Sequence, residues 1–450
     1  MRIAIAGGGI SGLSLAYFLK SGDPSAEVLV LEAQDRPGGK VWTDRADGFV
    51  LESGVNGFLD NKPRTLELAR RLALAPLRSS DAARKRFIYS GGVLHRLPES
   101  PPAFLKSSLL SPVGKARIFL EPFVGRSAAQ EESLADFARR RLGKEALEKL
   151  IDPMAAGVFA GDPERLSLRS CFPRIHELEQ TYGSLIKAML KLKKKTGKAS
   201  AGPGGTLTSF AGGMQVLTDA LVAALGGAVR AGSRVAAVER SGGAYVLHLS
   251  DGSRVEADSV VLATPSHQSA RMLKDLEPDA SKALLEIPYP PVSVVCTAYR
   301  AEKIDSRAVG GFGFLVPRGE QRKILGTLFD SSIFPGRAPE GYVLLRTMVG
   351  GARSPETALL QDGALLETVQ YELAAISGIK AEPDFFRIYR HEFAIPQYTP
   401  GHGARLARLE AALARHRGLY LTGNAYRGIG VNDCVENSHR LSERVLEEMA

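Results

Sequence analysis

Two apolar runs near the start of the chain, RIAIAG and EVLVLE, read as buried parallel strands, the first alternating and rich in small residues. ISGLSLAYFLKSG between them reads as a helix. From about residue 96 to 203 the pattern changes, and helix-compatible segments such as SLADFARRRLGKEALEKLIDPM and GSLIKAMLKLKKKTGK dominate. LPESPPAF breaks the chain before them and SAGPGG after them, which predicts an inserted helical subdomain. FAGGMQVLTDALVAAL is a glycine turn leading into a helix. SRVAAVERSGGAYVLHLSDGSRVEADSVVLATP gives short strands joined by GG and DG turns. Between residues 285 and 400 β-branched residues return in VSVVCTAYR, GFGFLVP, KILGTLFDSS and YVLLRTMVGG, predicting an antiparallel sheet. The glycines of GFGF signal a close backbone approach. Near the end, GLYLTGN reads as a strand and VNDCVENSHRLSERVLEEM as a helix with Val435, Leu441, Val445 and Met449 on one face.

Composition narrows this picture rather than redrawing it. A chain of 450 residues, 44% apolar and 24% charged, is an ordinary soluble protein of more than one domain. Lysine and arginine (58) exceed aspartate and glutamate (49), a surplus that favours anionic partners. No helix-turn-helix, zinc-finger or RNP-like pattern accompanies it, so nucleic acid is not expected. Cys171, Cys296 and Cys434 are far apart, which predicts neither a disulfide framework nor a metal site and fits a reducing compartment. Nothing resembles a signal peptide or a bilayer span, so any membrane contact is expected to be peripheral. Lys191, Lys193, Lys194, Lys195 and Lys198 form either a solvated helix face or a contact with anionic lipid.

The chemistry enters with the glycines. Gly7, Gly9 and Gly12 stand in G-x-G-x-x-G spacing between the first strand and its helix. That arrangement permits a tight turn, close approach of backbone to a pyrophosphate, and close helix–sheet packing. Glu32, at the end of the second strand, is placed for the ribose hydroxyls of an adenosine. No second unit of this kind occurs for a nicotinamide nucleotide, so electrons are expected to leave to oxygen or a quinone. No G-x-S-x-G elbow, metal cluster or paired carboxylate competes for catalysis. His391 and His402 flank AIPQY and invite an acid–base role, but are read as structural hydrogen-bonders.

The doublet Gly38-Gly39 in DRPGGKVWT, followed by GFVLESGVNGF with Glu52 and Gly54, resembles the flavin amine oxidase-like superfamily, with Lys40 where an arginine is usual. GGGISGL, PMAAGVFAGDPERLSLRSCFP, GSLIKAML, FAGGM, GFGFLVP, MVGGAR, AIPQYTPGH and GVNDCVENS, in this order, resemble the oxygen-dependent, FAD-containing protoporphyrinogen oxidases over essentially the whole chain. The resemblance implies a mixed α/β (α+β) architecture: a Rossmann-like FAD-binding domain (1–72, 204–283 and 395–450), an antiparallel-sheet substrate domain (73–95 and 284–394) and a helical membrane-associating domain (96–203). It implies oxidation of protoporphyrinogen IX with molecular oxygen, hydride passing to the flavin N5 and no side chain as catalyst.

Carried over by position, FAD would be held by several separate segments. These are the opening loop (Gly7, Gly8, Gly9, Ile10, Ser11, Gly12), Glu32 and Ala33, then Gly39 and Lys40. Gly54, Val55, Asn56, Gly57 and Val235 follow, and the closing loop adds Gly423, Ile429, Gly430 and Val431. Gly428 and Gly430 would let that loop pass under the flavin ring, with Asp433 as a cap or first-turn acid. The tetrapyrrole would meet Arg86, Phe312, Gly313, Leu315 and Met348, with Arg86 pairing a propionate. A cytoplasmic protein on the inner face of the cell membrane, a homodimer and hand-off to a ferrochelatase are further expectations. The rivals are a coproporphyrinogen III oxidase on the same frame, an amine oxidase or desaturase, and a non-catalytic carrier of FAD or porphyrin.

Overall fold

A computed structural model describes residues 1–127, 129–196 and 204–449. Arg2–Ala6 is the centre of a five-stranded parallel sheet, with Glu27–Leu31 and Val229–Arg230 on one side and Ser259–Leu262 and Leu419–Leu421 on the other. Apolar residues from these strands feed two cores, Ile3, Ile5 and Val30 into one and Ala4, Ala6 and Leu31 into the other. Burial on both faces explains why the strands read as nearly continuous apolar runs. The opening helix Ile10–Gly22 and the last helix Val431–Met449 lie side by side. Ser438 Oγ donates to the Ser11 carbonyl at 2.8 Å, and the Phe18 ring sits 4.9 Å from His439. A side chain at Gly22 would come within 2.6 Å of Leu446.

The second layer is a seven-stranded sheet in the order Phe385–His391, Val292–Arg300, Tyr342–Gly350, Ile324–Leu328, Gly313–Leu315, Arg86–Ser90, Val93–Arg96. Its neighbours are antiparallel except Gly313–Leu315 beside Arg86–Ser90, which are parallel. One face packs Val295, Phe314 and Leu345 against Leu365, Val369 and Leu373 of the helix Asp362–Ser377. The other presents Val294, Cys296 and Tyr389 to Trp42, Phe49 and Leu51 of the dinucleotide side. Pro76–Arg78 pairs with Leu207–Phe210 rather than with this sheet.

The helical stretch is more broken than its periodicity predicts. The helix-compatible run SLADFARRRLGKEALEKLIDPM divides into Leu134–Arg141, Lys144–Ala146, the wider turn Leu147–Ile151, and Asp152–Phe159. Gly143, at φ +94°, supplies the first break. The subdomain closes on buried ions: Arg141 pairs with Glu121 at 3.1 Å and Glu179 at 2.6 Å. Lys191, Lys193 and Lys194 are exposed on the helix Leu185–Thr196. The Lys195 side chain, Lys198 and most of SAGPGG lie outside the described residues. Among the described residues no helix is long and apolar enough to cross a membrane.

Candidate active site

The opening turn is shaped by its own atoms. Gly7 has φ +109°, and a Cβ there would sit 2.8 Å from the Ala263 carbonyl oxygen. A Cβ at Gly12 would collide with the Gly7 carbonyl oxygen. Gly9 is different: nothing lies within 4 Å of its Cβ direction, and it heads the helix with no side-chain cap. The outer glycines thus serve packing, and the middle one leaves open space beside a helix start that has no side-chain cap. Glu32 does more than the spacing predicts. One carboxylate oxygen accepts the Gly8 amide at 2.7 Å and the other the Gln34 amide at 2.9 Å, so it locks the turn while lone pairs remain for a ribose. Ala33 follows it, and Val235 starts the strand Val235–Ser241, packed in the same core as Leu31.

Gly38 donates to the Gly8 carbonyl at 2.7 Å, bringing the glycine doublet alongside the opening turn. Arg36, which the sequence reading passed over, braces it: its guanidinium lies 4.9 Å over Trp42 and donates to the Gly39 carbonyl at 3.0 Å. Lys40 Nζ donates to the carbonyls of Phe393, at 2.6 Å, and Ala394. It has no carboxylate partner among the described residues, and burial pulls its pKa down to about 8.

The segment carrying Gly54–Gly57 rests on buried charge. Arg346 donates to the Gly54 carbonyl at 2.8 Å and pairs with Asp330 at 3.0 Å, while Arg337 pairs with Glu52 at 3.0 Å. All four side chains are at most 1% exposed. Burial raises the Glu52 and Asp330 pKa values against the pull of the two arginines. Such a quartet adds little net stability but specifies one geometry. A signal for it was visible, since Arg346 is a lone charge inside YVLLRTMVGG. Gly57 is required by the Thr208 carbonyl, 2.6 Å from its Cβ direction, and Val55 packs on the core. Both polar atoms of the Asn56 amide are buried without a partner.

The closing loop follows the strand Leu419–Leu421. Gly423 adopts φ +128° with open space around its Cβ direction. At Gly428 the group that comes close is the Asp433 carboxylate, which a side chain would strike. Asp433 accepts the Gly430 amide at 3.2 Å and pairs with Lys62 at 2.5 Å, so it serves as a first-turn acid. Val431 is buried in the core of the parallel sheet, whereas Ile429 packs on the helical subdomain with Phe159 and Leu166. His391 Nε2 bonds the Ser53 carbonyl at 2.8 Å and His402 Nε2 the Tyr426 carbonyl at 3.0 Å. Burial lowers both pKa values, that of His402 to about 4.

Arg86, Gly313, Leu315 and Met348 share one face of the seven-stranded sheet. Arg86 registers with Gly313, Leu315 with Gly326, and Gly326 with Met348, so the last three form a row across the strands. This is the face turned to the dinucleotide side. Arg86 is exposed, without a carboxylate partner among the described residues, its guanidinium 5.0 Å over Phe312. The glycine of GFGF meets the neighbouring strand: a Cβ at Gly313 would collide with the Thr327 carbonyl. Gly157 of the helix Asp152–Phe159, unforeseen, lies against Leu315, 2.8 Å from its Cβ direction. The helical subdomain therefore walls this face.

The open space at Gly9, the Asn56 amide that has no partner among the described residues and the space at Gly423 fit an extended dinucleotide with a ring system at one end. The family model described as flavin containing amine oxidoreductase matches residues 10–446. Protoporphyrinogen oxidase, chloroplastic, of Oryza sativa subsp. japonica is 34% identical, across 98% of this chain and 87% of that protein. Coproporphyrinogen III oxidase of Bacillus subtilis (strain 168) is 31% identical, across 97% of this chain and 96% of that one. A solved structure of a candidate protoporphyrinogen oxidase from Exiguobacterium sp. 255-15 superposes with a TM-score of 0.86 at 28% identity, covering 100% of this chain and 98% of that chain.

Proposed function

The chain belongs to the flavin-containing amine oxidoreductase family, and from that premise we propose that it oxidises a porphyrinogen, protoporphyrinogen IX in the first place, with molecular oxygen as acceptor. It is an oxidoreductase and FAD is its cofactor. The observation that carries the substrate reading is the sheet face on which Arg86, without a carboxylate partner among the described residues, stands beside the row Leu315, Gly326, Met348. A flat, carboxylate-bearing macrocycle suits it: the guanidinium offers a planar fork to a propionate, and Leu315 and Met348 offer an apolar wall.

Bound FAD supplies the hydride acceptor. The opening turn, Glu32 and the doublet would hold its nucleotide end; Gly54–Asn56 and the closing loop would hold its ring. Arg86 would orient the substrate, Leu315 and Met348 would bear on its plane, and the helix Asp152–Phe159 would exclude water. No side chain needs to act as a general base. His391 and His402 are engaged with main-chain carbonyls. Trp42 is used in packing against Tyr389 and Arg36 rather than in an aromatic cage.

A second reading, coproporphyrinogen III as substrate, has the Bacillus relative in its favour. Anaerobically prepared protoporphyrinogen IX and coproporphyrinogen III, offered in turn, decide it through porphyrin fluorescence and peroxide once oxygen is admitted. The higher kcat/KM is expected for protoporphyrinogen IX. Flavin without acceleration over autoxidation would leave a binding protein only. Arg86→Ala is expected to raise KM roughly tenfold with FAD retained; loss of flavin would remove Arg86 from the substrate site.

For a membrane contact, the short helices Pro101–Lys106 and Pro112–Phe119 and the turn after them expose Leu105, Val113, Phe119, Leu120 and Phe123, the last at 85%. We place the peripheral contact there, with Lys106 and the exposed lysines of Leu185–Thr196 toward anionic headgroups. Phe123→Ser is expected to weaken sedimentation with anionic vesicles severalfold; unchanged sedimentation moves the contact elsewhere.

A further inference from the structure

The stretch from Gln397 to His402, with Gln397, Tyr398 and His402 buried, lies between the helical subdomain and the closing loop and is bonded to both. Toward the helices, the Tyr398 carbonyl accepts the Ser167 amide at 2.8 Å. Gln397 donates to the Phe159 carbonyl at 2.9 Å, and the Gly401 amide donates to Glu131 at 2.9 Å. Toward the loop, the Tyr398 hydroxyl donates to the Asn424 carbonyl at 2.5 Å and His402 Nε2 to the Tyr426 carbonyl at 3.0 Å. The two rings are stacked, 4.1 Å apart and 16° from parallel. A carbonyl only accepts, so Nε2 carries the proton of the neutral His402 ring.

This brace has a directional consequence. Across a trans peptide, the carbonyl of one residue and the amide N–H of the next point to opposite sides. With the Asn424 carbonyl tied to Tyr398, the Ala425 N–H is turned away from Tyr398. Ala425 is 1% exposed, and its N–H donates to no described protein atom. A buried amide left unmatched is costly, so an acceptor outside the protein is called for.

We infer that Tyr398 is a positioning residue that aims the Ala425 amide at an acceptor atom of bound FAD. The inference rests on the flavin reading proposed above. Through the same residue, the seating of the helical subdomain reaches the closing loop.

Tyr398→Phe in the full chain keeps the stacked ring and removes only the hydroxyl. Titration with FAD, followed by quenching of flavin fluorescence, is expected to show a Kd raised roughly three- to tenfold. The visible flavin band and the midpoint potential are expected to shift with it, and kcat for the porphyrinogen to fall while KM holds. A wild-type chain that takes up no FAD overturns the flavin reading and this inference with it. A wild-type flavoprotein whose Tyr398→Phe variant keeps the same Kd, band position and potential overturns the inference alone.

Discussion

The two glycine-rich loops at the ends of the chain are built on opposite plans. In the opening turn the tightest constraint lies within six residues, Gly12 against Gly7, and Glu32, Gly38 and Ala263 close around it. In the closing loop the constraints arrive from far away: Lys62 to Asp433, Tyr398 to Asn424, His402 to Tyr426, and Phe159 beside Ile429. The first loop is a motif that carries its own geometry. The second is shaped by Asp433 within it and by three other segments that press on it. A local turn is therefore expected to fail through steric change within itself, and the closing loop through conditions that weaken its distant braces.

The largest effect is expected at Gly12. Alanine there gains about 1 kcal/mol of helix propensity, but the collision with the Gly7 carbonyl is expected to cost about 3 kcal/mol or more and to distort the cradle. Gly12→Ala should therefore purify without flavin and melt at lower temperature. An intact flavoprotein would show that the turn relaxes more freely than its packing implies.

A smaller, graded effect belongs to His402. Its folded pKa of about 4 lies below the value near 6.5 expected for the unfolded chain. Between these values the unfolded chain binds the extra proton. The stabilisation is thus complete above about pH 6.5 and is lost as pH falls through about 4. The loss is about 1 kcal/mol by about pH 5.5 and on the order of 3 kcal/mol in full. His402→Gln should flatten this part of the stability–pH curve, measured by denaturant unfolding of the holoprotein. An unchanged acid slope would assign it to other groups and weaken the contrast between the loops.

Much of the fold was legible because its signals are local. The strands Val292–Arg300 and Tyr342–Gly350, the hairpins after Ser233 and the last helix follow β-branched runs, paired turn residues and one apolar face. The helical subdomain was legible in kind but not in detail. SLADFARRRLGKEALEKLIDPM has a helical composition throughout, and it is Gly143 and the buried Arg141–Glu179 contact that divide and fold it. Residues named for the substrate by resemblance, Arg86, Gly313, Leu315 and Met348, do meet on one sheet face. Gly157, Gly326 and the Glu52–Arg337–Asp330–Arg346 quartet were not foreseen.

By itself the sequence determined the units: a parallel-sheet nucleotide module opened by its glycine turn, a β-rich second module, and helices inserted between. These follow from periodicity, turn chemistry and spacing, which act over a few residues. Tertiary structure alone decided how the units share a site. Register placed Leu315, Gly326 and Met348 in one row, buried charge pinned Gly54 to the seven-stranded sheet, and Tyr398 and His402 tied the closing loop to the helices. Hydrogen bonds and close packing act over a few ångströms in space, whatever the distance along the chain, so their partners become visible only once the chain has folded.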